Sequence, residues 1–344
     1  MHKIMRKRFV ACVMTLVLLC NSAFLFVGCG NSSTSSNGEV AADETSINEA
    51  IKDFTDEEKE LLSYITDLDE KAAVITAKNM VDSLDHDVRI VATSVATAEI
   101  CDKLNIDLVG VASSNISTLP SRYDDVTRIG LAMGPDMEII ASLSPDWILS
   151  PASLQSDLQP KYEAIDTDFA FLNLRSVEGM YQSIIELGII FDRETEALEL
   201  VWQYQQNYEE FVKSFENESH PKVLILMGLP GSYIIATENS YIGDLVELAG
   251  GENVYSGTDQ EFLTVNTEDM ETKQPDIILR AAHAMPTQVI EMFAEEFETN
   301  DIWKHFSAVQ NGKVYDLPYD LFGMSANFDY TDALEYLYGV LYGE

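Results

Sequence analysis

The chain has 344 residues, with 21 Lys and Arg against 58 Asp and Glu, a formal net charge of −37 at pH 7, and 46% hydrophobic residues. This hydrophobic content excludes general disorder, and the length suggests two domains of roughly 150 residues each. The acidic surplus argues against nucleic acid as a partner and against a basic patch on an anionic membrane, because both need clustered Lys and Arg.

The N-terminus has the pattern of a bacterial export signal. Four basic residues between Lys3 and Arg8 precede an apolar run from Phe9 to Leu19, and the sequence LFVGC that ends at Cys29 resembles a lipobox. We therefore predict a lipoprotein signal peptide over residues 1–28 and lipidation of Cys29. The folded body would then be held on the extracytoplasmic side of the cell membrane. An uncleaved N-terminal transmembrane anchor is the alternative.

Removal of residues 1–28 changes the charge and cysteine counts. This segment holds four of the 21 basic residues and none of the 58 acidic ones, so the remainder carries a net charge of −41. Only Cys29 and Cys101 remain, and because Cys29 is the predicted lipidation site, no internal disulfide is available. Cys101 lies in an apolar helical pattern and is predicted to be an inert core thiol.

Residues 29–86 are predicted to be a tether followed by an acidic approach segment. The residues directly after Cys29 have a composition typical of a flexible Gly/Ser linker. Between Asp43 and Glu70 there are eleven acidic residues against only Lys52 and Lys59. Partial helical periodicity predicts one or two short amphipathic helices, and the pattern leaves open whether they pack on the body.

From Asp87 onward, strands and helices alternate, which is typical of a mostly parallel sheet covered by helices. We assign an N-terminal α/β lobe to residues 87–190. Its predicted strands are 88–92, 107–111, 146–150 and 169–173. Its predicted helices are 95–104, with Thr93-Ser94 as the cap, 135–143 and 158–164.

A run from Val177 to Phe215 with few breakers predicts two helices, the second from Glu194 to Phe215. At 1.5 Å per residue this second helix would be roughly 33 Å long, and we assign an interlobe helix to residues 191–219. A second α/β lobe follows over residues 220–344. Its predicted strands are 222–227, 275–280 and 312–316, and its predicted helices are 241–249, 286–297 and 331–341.

The two halves share a short internal sequence repeat. The sequence SPDWILS over residues 144–150 parallels QPDIILR over residues 274–280. Each of these strands follows a helix that contains an acidic residue, Glu138 in the first half and Glu268 in the second. This correspondence indicates two similar lobes.

These features resemble the substrate-binding lipoproteins of ABC importers for iron-siderophores, cobalamin and heme. The similarity is greatest to the heme-receptor lipoproteins of the iron-regulated surface determinant system, and it covers about residues 88–342. It rests on the runs KVLILMGLPGSYIIA, SYIGDLVELAGGENV, PDIILR, HAMP and NDIWKHF, which begin at residues 222, 240, 275, 283 and 300. The resemblance implies two Rossmann-like lobes joined by a single long α-helix, the helical-backbone periplasmic-binding-protein fold.

The resemblance also implies a ligand and partners. The transported ligand would be heme, iron protoporphyrin IX, which the protein delivers to an ABC permease. Surface heme-donor proteins would be further partners. The implied axial ligands of the heme iron are Met133 and His283, each after a strand of a different lobe, where open α/β sheets bind ligands. Weaker candidates are His86, His220, His305, Met285 and Met324.

Two further sets of residues follow from the resemblance. The first would contact heme: Ser94, Val95, Ala96 and Thr97 at a helix N-terminus for the propionates, and Tyr233, Tyr241 and Ile242 for the porphyrin. The loop at 113–118 contains no Lys or Arg that could assist with the propionates. The second set is Glu138 and Glu268, which would pair with arginines of the permease.

Other classes of function remain as alternatives. The chain contains no G-x-S-x-G, H-E-x-x-H, P-loop or paired C-x-x-C motif, so we predict that it is not an enzyme. The scattered histidines argue against a zinc or manganese receptor. An iron-siderophore or cobalamin receptor of the same fold stays open, as does a surface sensing or adhesion lipoprotein without a transport role.

Overall fold

The computed structural model describes residues 42–114, 117–165 and 167–343. The predicted signal peptide, Cys29 and most of the predicted tether lie outside the described residues. The chain divides into two units. Unit 1 comprises the described residues up to Asn173 together with Tyr181–Trp202, and unit 2 comprises Leu174–Met180 together with the described residues from Gln203 onward.

Unit 1 contains a six-stranded sheet in the order β4-β3-β2-β1-β5-β6. The strands are β1 (Ile90–Ala92), β2 (Gly110–Ser113), β3 (Thr127–Leu131), β4 (Gly134–Pro135), β5 (Trp147–Pro151) and β6 (Asp168–Leu172). All neighbours are parallel except β3 and β4, which form an antiparallel pair. The central strands β1 and β5 are buried throughout, as expected for a parallel sheet covered on both faces.

The first five helices of unit 1 begin directly after a residue whose side chain caps them, whereas the helix at Gln155 has no side-chain cap. The helices of this unit are α1 (Glu44–Ala50), α2 (Asp56–Leu62), α3 (Leu68–Asp82), α4 (Val95–Lys103), α5 (Met137–Leu143), α6 (Gln155–Glu163) and α7 (Val177–Ile190), of which the first four residues belong to unit 2. Ser94 caps α4 by accepting a hydrogen bond from the Thr97 amide, and Asp136 caps α5. The helix that we predicted over residues 135–143 begins later in the structure, at Met137, because Gly134 and Pro135 belong to β4.

The acidic approach segment forms three helices, α1 to α3, and they pack on unit 1. Capping residues Asp43, Thr55 and Asp67 start them, and their apolar positions Leu61, Val74 and others are buried. Helix α3 contacts the turn after α7 through an ion pair from Lys78 to Asp192. The segment is thus part of unit 1 in this structure, which the sequence left open.

The long helix α8 runs over Glu194–Lys213, so that it begins in unit 1 and ends in unit 2. Its 20 residues correspond to roughly 30 Å. The observed helix ends two residues before the predicted Phe215. Its neighbour α7 ends at Ile190, and Asp192 between them has a positive φ of 54°, which lets the chain reverse direction.

Unit 2 contains a second sheet in the order β10-β8-β7-β11-β12, with β9 also paired to β7. The strands are β7 (Lys222–Leu229), β8 (Ser232–Ala236), β9 (Glu252–Asn253), β10 (Phe262–Leu263), β11 (Ile277–Ala282) and β12 (Val314–Asp316). Its further helices are α9 (Tyr241–Leu248), α10 (Thr267–Lys273), α11 (Pro286–Thr299), α12 (Ser307–Gln310) and α13 (Tyr330–Tyr342). Strands β7, β11 and β12 are parallel, whereas β8 is antiparallel to both β7 and β10.

Each unit has its own aromatic core. In unit 1, Tyr162, Phe169 and Phe171 pack together with ring centroids 5.7–5.9 Å apart. In unit 2, Trp303 stacks on Phe297 at 4.0 Å. Cys101 is fully buried, and burial raises the pKa of its thiol to about 12, which confirms the predicted inert core thiol. Among the described residues, no helix has both the length and the apolar character needed to span a bilayer.

The internal sequence repeat is accompanied by the same local structure in both units. Helices α5 and α10 both end at a residue with positive φ, Ser144 at 47° and Gln274 at 48°. The Asp146 carboxylate then accepts from the Arg89 amide at 2.7 Å, and the Asp276 carboxylate accepts from the Lys222 amide at 2.8 Å. The same local arrangement therefore precedes strands β5 and β11: a residue with positive φ, followed two positions later by an aspartate that accepts a backbone amide of the neighbouring chain segment.

Candidate functional site

Met133 lies at the tip of a β-hairpin in unit 1. Leu131 of β3 pairs with Gly134 of β4, so Ala132 and Met133 form the two-residue turn between them. The Met133 side chain is 74% exposed and that of Leu131 is 53% exposed. Two large apolar side chains together on a surface mark a site where a ligand or partner can cover them.

The base of this hairpin is held by main-chain geometry. Gly130 has a φ of 95°, and the space around it is narrow, because an added Cβ would lie 3.3 Å from the Gly134 carbonyl oxygen. The Asp136 amide donates to the Ile129 carbonyl oxygen at 2.7 Å. This hairpin presents the Met133 thioether, and β3 is the strand that the sequence analysis placed before Met133, whereas β4 was not predicted.

His283 directly follows β11 in unit 2. Its amide donates to the Gly228 carbonyl oxygen at 2.9 Å, which fixes the backbone at the carboxyl end of the strand. The imidazole Nδ1 is buried and has no hydrogen-bond partner among the described residues. His283 is half-buried, so part of this residue remains accessible. Nearby in sequence, Met285 and Ile290 are exposed apolar residues, at 52% and 42%.

The N-terminus of α4 supplies fewer free donors than the sequence suggested. The Thr97 amide donates to the Ser94 hydroxyl oxygen at 3.1 Å, and the two hydroxyl groups are 2.7 Å apart. Both side chains are buried. The first-turn amides of Val95 and Ala96 have no intrahelical acceptor, so these two can bind an anion while Ser94 and Thr97 serve mainly as the cap.

The three predicted porphyrin contacts differ in exposure. Tyr233 is half-buried on β8, and its hydroxyl donates to Glu296 at 2.9 Å, so its ring is fixed. Tyr241 and Ile242 begin α9 and are each only 1% exposed. Burial of this degree leaves neither Tyr241 nor Ile242 a surface for a ligand in this structure, because both side chains pack into the core of unit 2.

Glu138 and Glu268 occupy equivalent positions in the two units. Each is the second residue of a seven-residue helix, and each is exposed. Asp136 caps the first of these helices and Asn266 caps the second. The equivalence supports the sequence comparison that paired these two residues.

The other histidines have local contacts. His86 lies between Asp85 and Asp146, whose hydrogen bonds raise the pKa of its imidazole. His220 Nδ1 lies 2.6 Å from the Gly250 carbonyl oxygen. His305 is exposed in a 3₁₀ turn over Asp301–His305, and Met324 is half-buried.

The structure also contains an acidic cluster that the sequence analysis missed. Carboxylate oxygens of Glu58, Asp192 and Glu194 lie within 4.8 Å of one another. Lys78 Nζ is 3.2 Å from Glu58 and 2.6 Å from Asp192, so a lysine already supplies the positive charge there. No sequence signal links these residues, because more than one hundred positions separate Lys78 from Asp192.

The two sheet units and the long helix α8 define a ligand-receptor fold, and comparison with known proteins identifies the family. A family model described as periplasmic binding protein matches residues 90–321. The chain therefore belongs to the periplasmic binding protein family. Each unit contains one α/β sheet, as the predicted two-lobe fold requires, although unit 1 also includes the described residues before 87 and unit 2 includes Leu174–Met180.

Individual relatives are similar over most of the chain. The high-affinity heme uptake system protein IsdE of Staphylococcus aureus (strain bovine RF122 / ET3-1) is 42% identical over 289 residues, 82% of this chain and 98% of that protein. An ABC transporter substrate-binding protein from Listeria monocytogenes EGD-e has 48% identity and a TM-score of 0.72, over 75% of this chain and 100% of that one. S. aureus IsdE complexed with heme has 44% identity and a TM-score of 0.70 over the same shares.

Proposed function

We propose that this protein is a heme-binding receptor that delivers heme to an ABC permease. The observation that carries the proposal is the exposed Met133 at the tip of a hairpin, in a chain 44% identical to a heme-complexed structure. A methionine side chain is apolar, so its exposure to water is unfavourable, whereas its thioether sulfur is a suitable axial ligand for heme iron. The role is binding and transfer, with no chemical change to the ligand.

The second axial ligand in this proposal is His283, through Nε2. A His and Met pair is a known ligand set for heme iron. The exposed apolar side chains near each residue, Leu131 beside Met133 and Met285 beside His283, provide surface for the apolar porphyrin faces. Of the three predicted porphyrin contacts, we propose only Tyr233, because this residue is half-buried whereas Tyr241 and Ile242 are fully buried.

The propionates have a proposed site at the start of α4. The amides of Val95 and Ala96 point along the positive end of a nine-residue helix, which favours a carboxylate. Ser94 and Thr97 hold this terminus in place through their mutual hydrogen bonds. Their contribution to heme binding would be the geometry of the helix start.

Docking on the permease is assigned to Glu138 and Glu268, one exposed carboxylate from each unit. Paired acidic residues opposite arginines mainly raise the association rate and fix orientation. Glu138→Gln with Glu268→Gln should slow heme delivery to permease vesicles without changing hemin affinity. Unchanged delivery by the double variant would remove both residues from the proposal.

The location in this proposal is the extracytoplasmic face of the cell membrane, with attachment through lipidated Cys29. The support is the lipobox-like sequence before Cys29. Surface heme-donor proteins remain proposed partners. Metabolic labelling with a palmitate analogue tests the anchor, and Cys29→Ala should abolish the label.

The central test is a hemin titration of residues 30–344. We expect a Soret shift with six-coordinate low-spin bands, lost in His283→Ala and Met133→Ala but retained in His305→Ala. Absence of any shift in the unmodified protein would contradict heme binding. Parallel titrations with cobalamin and a ferric siderophore test the alternatives, and saturable binding of either one in place of hemin would assign the receptor to that ligand.

A further inference from the structure

Gly228 lies on the strand next to the one that ends directly before the candidate iron ligand His283. It belongs to β7, pairs with Ala282 of β11, and its carbonyl oxygen accepts the His283 amide at 2.9 Å. Gly228 is therefore the neighbouring-strand residue to which the backbone at His283 is attached. Any displacement of Gly228 would move His283 with it.

The absence of a side chain at Gly228 allows helix α11 to lie against the strand. A Cβ added at Gly228 would be 2.3 Å from Val289 Cγ1 and 2.7 Å from Phe293 Cε2. Both residues are buried on α11. Contacts this short force a shift, and because Val289 and Phe293 are buried in a close-packed core, their side chains have little room and part of the shift falls on α11.

Helix α11 is joined to His283 by a short and constrained connection. The helix begins at Pro286, which fixes its own φ, and the preceding Met285 has a positive φ of 48°. Only Ala284 and Met285 separate His283 from the helix. A movement of α11 is therefore transmitted to the imidazole over two residues.

We propose that Gly228 is a positioning residue for His283, because its missing side chain seats α11 against β7 and so sets the imidazole at the ligand. This inference rests on the proposed heme function. It predicts that Gly228→Ala lowers hemin affinity by roughly 10-fold or more, the range seen when groups that orient a metal ligand are changed. The six-coordinate low-spin fraction should fall with it.

A double variant separates positioning from general damage. Val289→Ala removes the atom nearest to the new Cβ, and the remaining close contact is the far edge of the Phe293 ring, which a side-chain rotation can move. Gly228→Ala with Val289→Ala should therefore regain much of the low-spin signal that Gly228→Ala loses. Gly339→Ala is the matched control, because an added Cβ there has nothing within 4 Å.

A measurement without hemin keeps this inference distinct from the proposed function. The ring resonances of His283 in the ligand-free protein, read by nitrogen–proton NMR, should shift in Gly228→Ala and return in the double variant. If hemin does not bind but these resonances behave as stated, the positioning stands and the heme function fails. Resonances and hemin spectra that are both unchanged in Gly228→Ala would overturn the positioning role.

Discussion

At the scale of single residues, Lys78 is a buried charged group that is surrounded by carboxylates. Its side chain is 7% exposed, as is that of its partner Glu58. Its bonds to Asp192 and Glu58 outweigh the effect of burial and raise the pKa of the ammonium group. Lys78 therefore stays charged, and Glu58 depends on that charge.

We expect Lys78→Met to destabilise the protein by about 3–5 kcal/mol, because the change leaves a buried carboxylate without a cation. Urea unfolding at pH 7 measures the loss. Lys52→Met is the control, since Lys52 pairs with Glu49 at the surface and should change the free energy of unfolding by at most about 1 kcal/mol. Equal effects of the two substitutions would contradict this view of Lys78.

Glu296 provides a residue-scale prediction for pH. Burial alone would raise its pKa, but hydrogen bonds from Trp303, Asn300 and Tyr233 outweigh that effect and lower it below the ordinary 4.5. A lowered pKa in the folded state stabilises the protein above the ordinary pKa, and this stabilisation is lost as pH falls through the folded value.

Glu296→Gln should therefore reduce stability at pH 7 by less than about 1 kcal/mol, because solvent screens this partly exposed group. The difference from the unmodified protein should shrink between pH 6 and pH 3. Urea unfolding followed by tryptophan fluorescence measures both values. A difference that grows toward pH 3 would show that the carboxylate is not stabilised by these donors.

At the scale of elements, the start of α4 combines a structural cap with a proposed anion site. The Ser94 hydroxyl oxygen accepts the Thr97 amide, so Ser94→Ala should cost about 1 kcal/mol of stability. Because the proposed propionate donors are the Val95 and Ala96 amides, the folded variant should keep most of its hemin affinity. Urea unfolding and a hemin titration of the same sample distinguish the two roles.

Several elements were predictable because their signals are local. The Ser94 cap and the apolar pattern after it predicted α4, and the breaker-free run from Glu194 predicted α8 to within two residues of its end. The hairpin of β7 and β8 was missed, although its turn, Pro230-Gly231 with φ 81° at the glycine, is a recognised turn signal. Strand β2 begins at Gly110, later than the predicted 107, because its pairing with β1 begins where Gly110 meets Val91.

At the scale of the whole molecule, charge is the dominant feature. Residues 29–344 carry a net charge of −41 by sequence, and like charges at this density repel one another in the folded state. We expect the melting temperature to rise by a few degrees between about 10 mM and 150 mM sodium chloride, because salt shortens the Debye length from about 30 Å to 8 Å. Calorimetry measures the shift, and a fall with salt would mean that attractive surface pairs dominate.

The sequence by itself determined the features that depend on neighbouring residues: the alternation of strands and helices, the two α/β units, the long helix and the buried Cys101. Hydrophobic periodicity, capping residues and helix breakers act over a few neighbouring positions, so a single sequence is enough to identify them. The candidate ligands Met133 and His283 came from family resemblance, and their assignment remains a proposal. The structure adds that Met133 lies on a hairpin tip and that the His283 Nδ1 is buried.

Only the tertiary structure decided the contacts between distant residues. Lys78 meets Asp192 across 114 positions, and the acidic segment that contains Lys78 packs on unit 1 through this contact and through buried apolar side chains such as Leu61 and Val74. The burial of Tyr241 likewise follows from how α9 packs in unit 2. Such contacts depend on the mutual packing of whole elements, and neither composition nor local periodicity encodes which elements will meet.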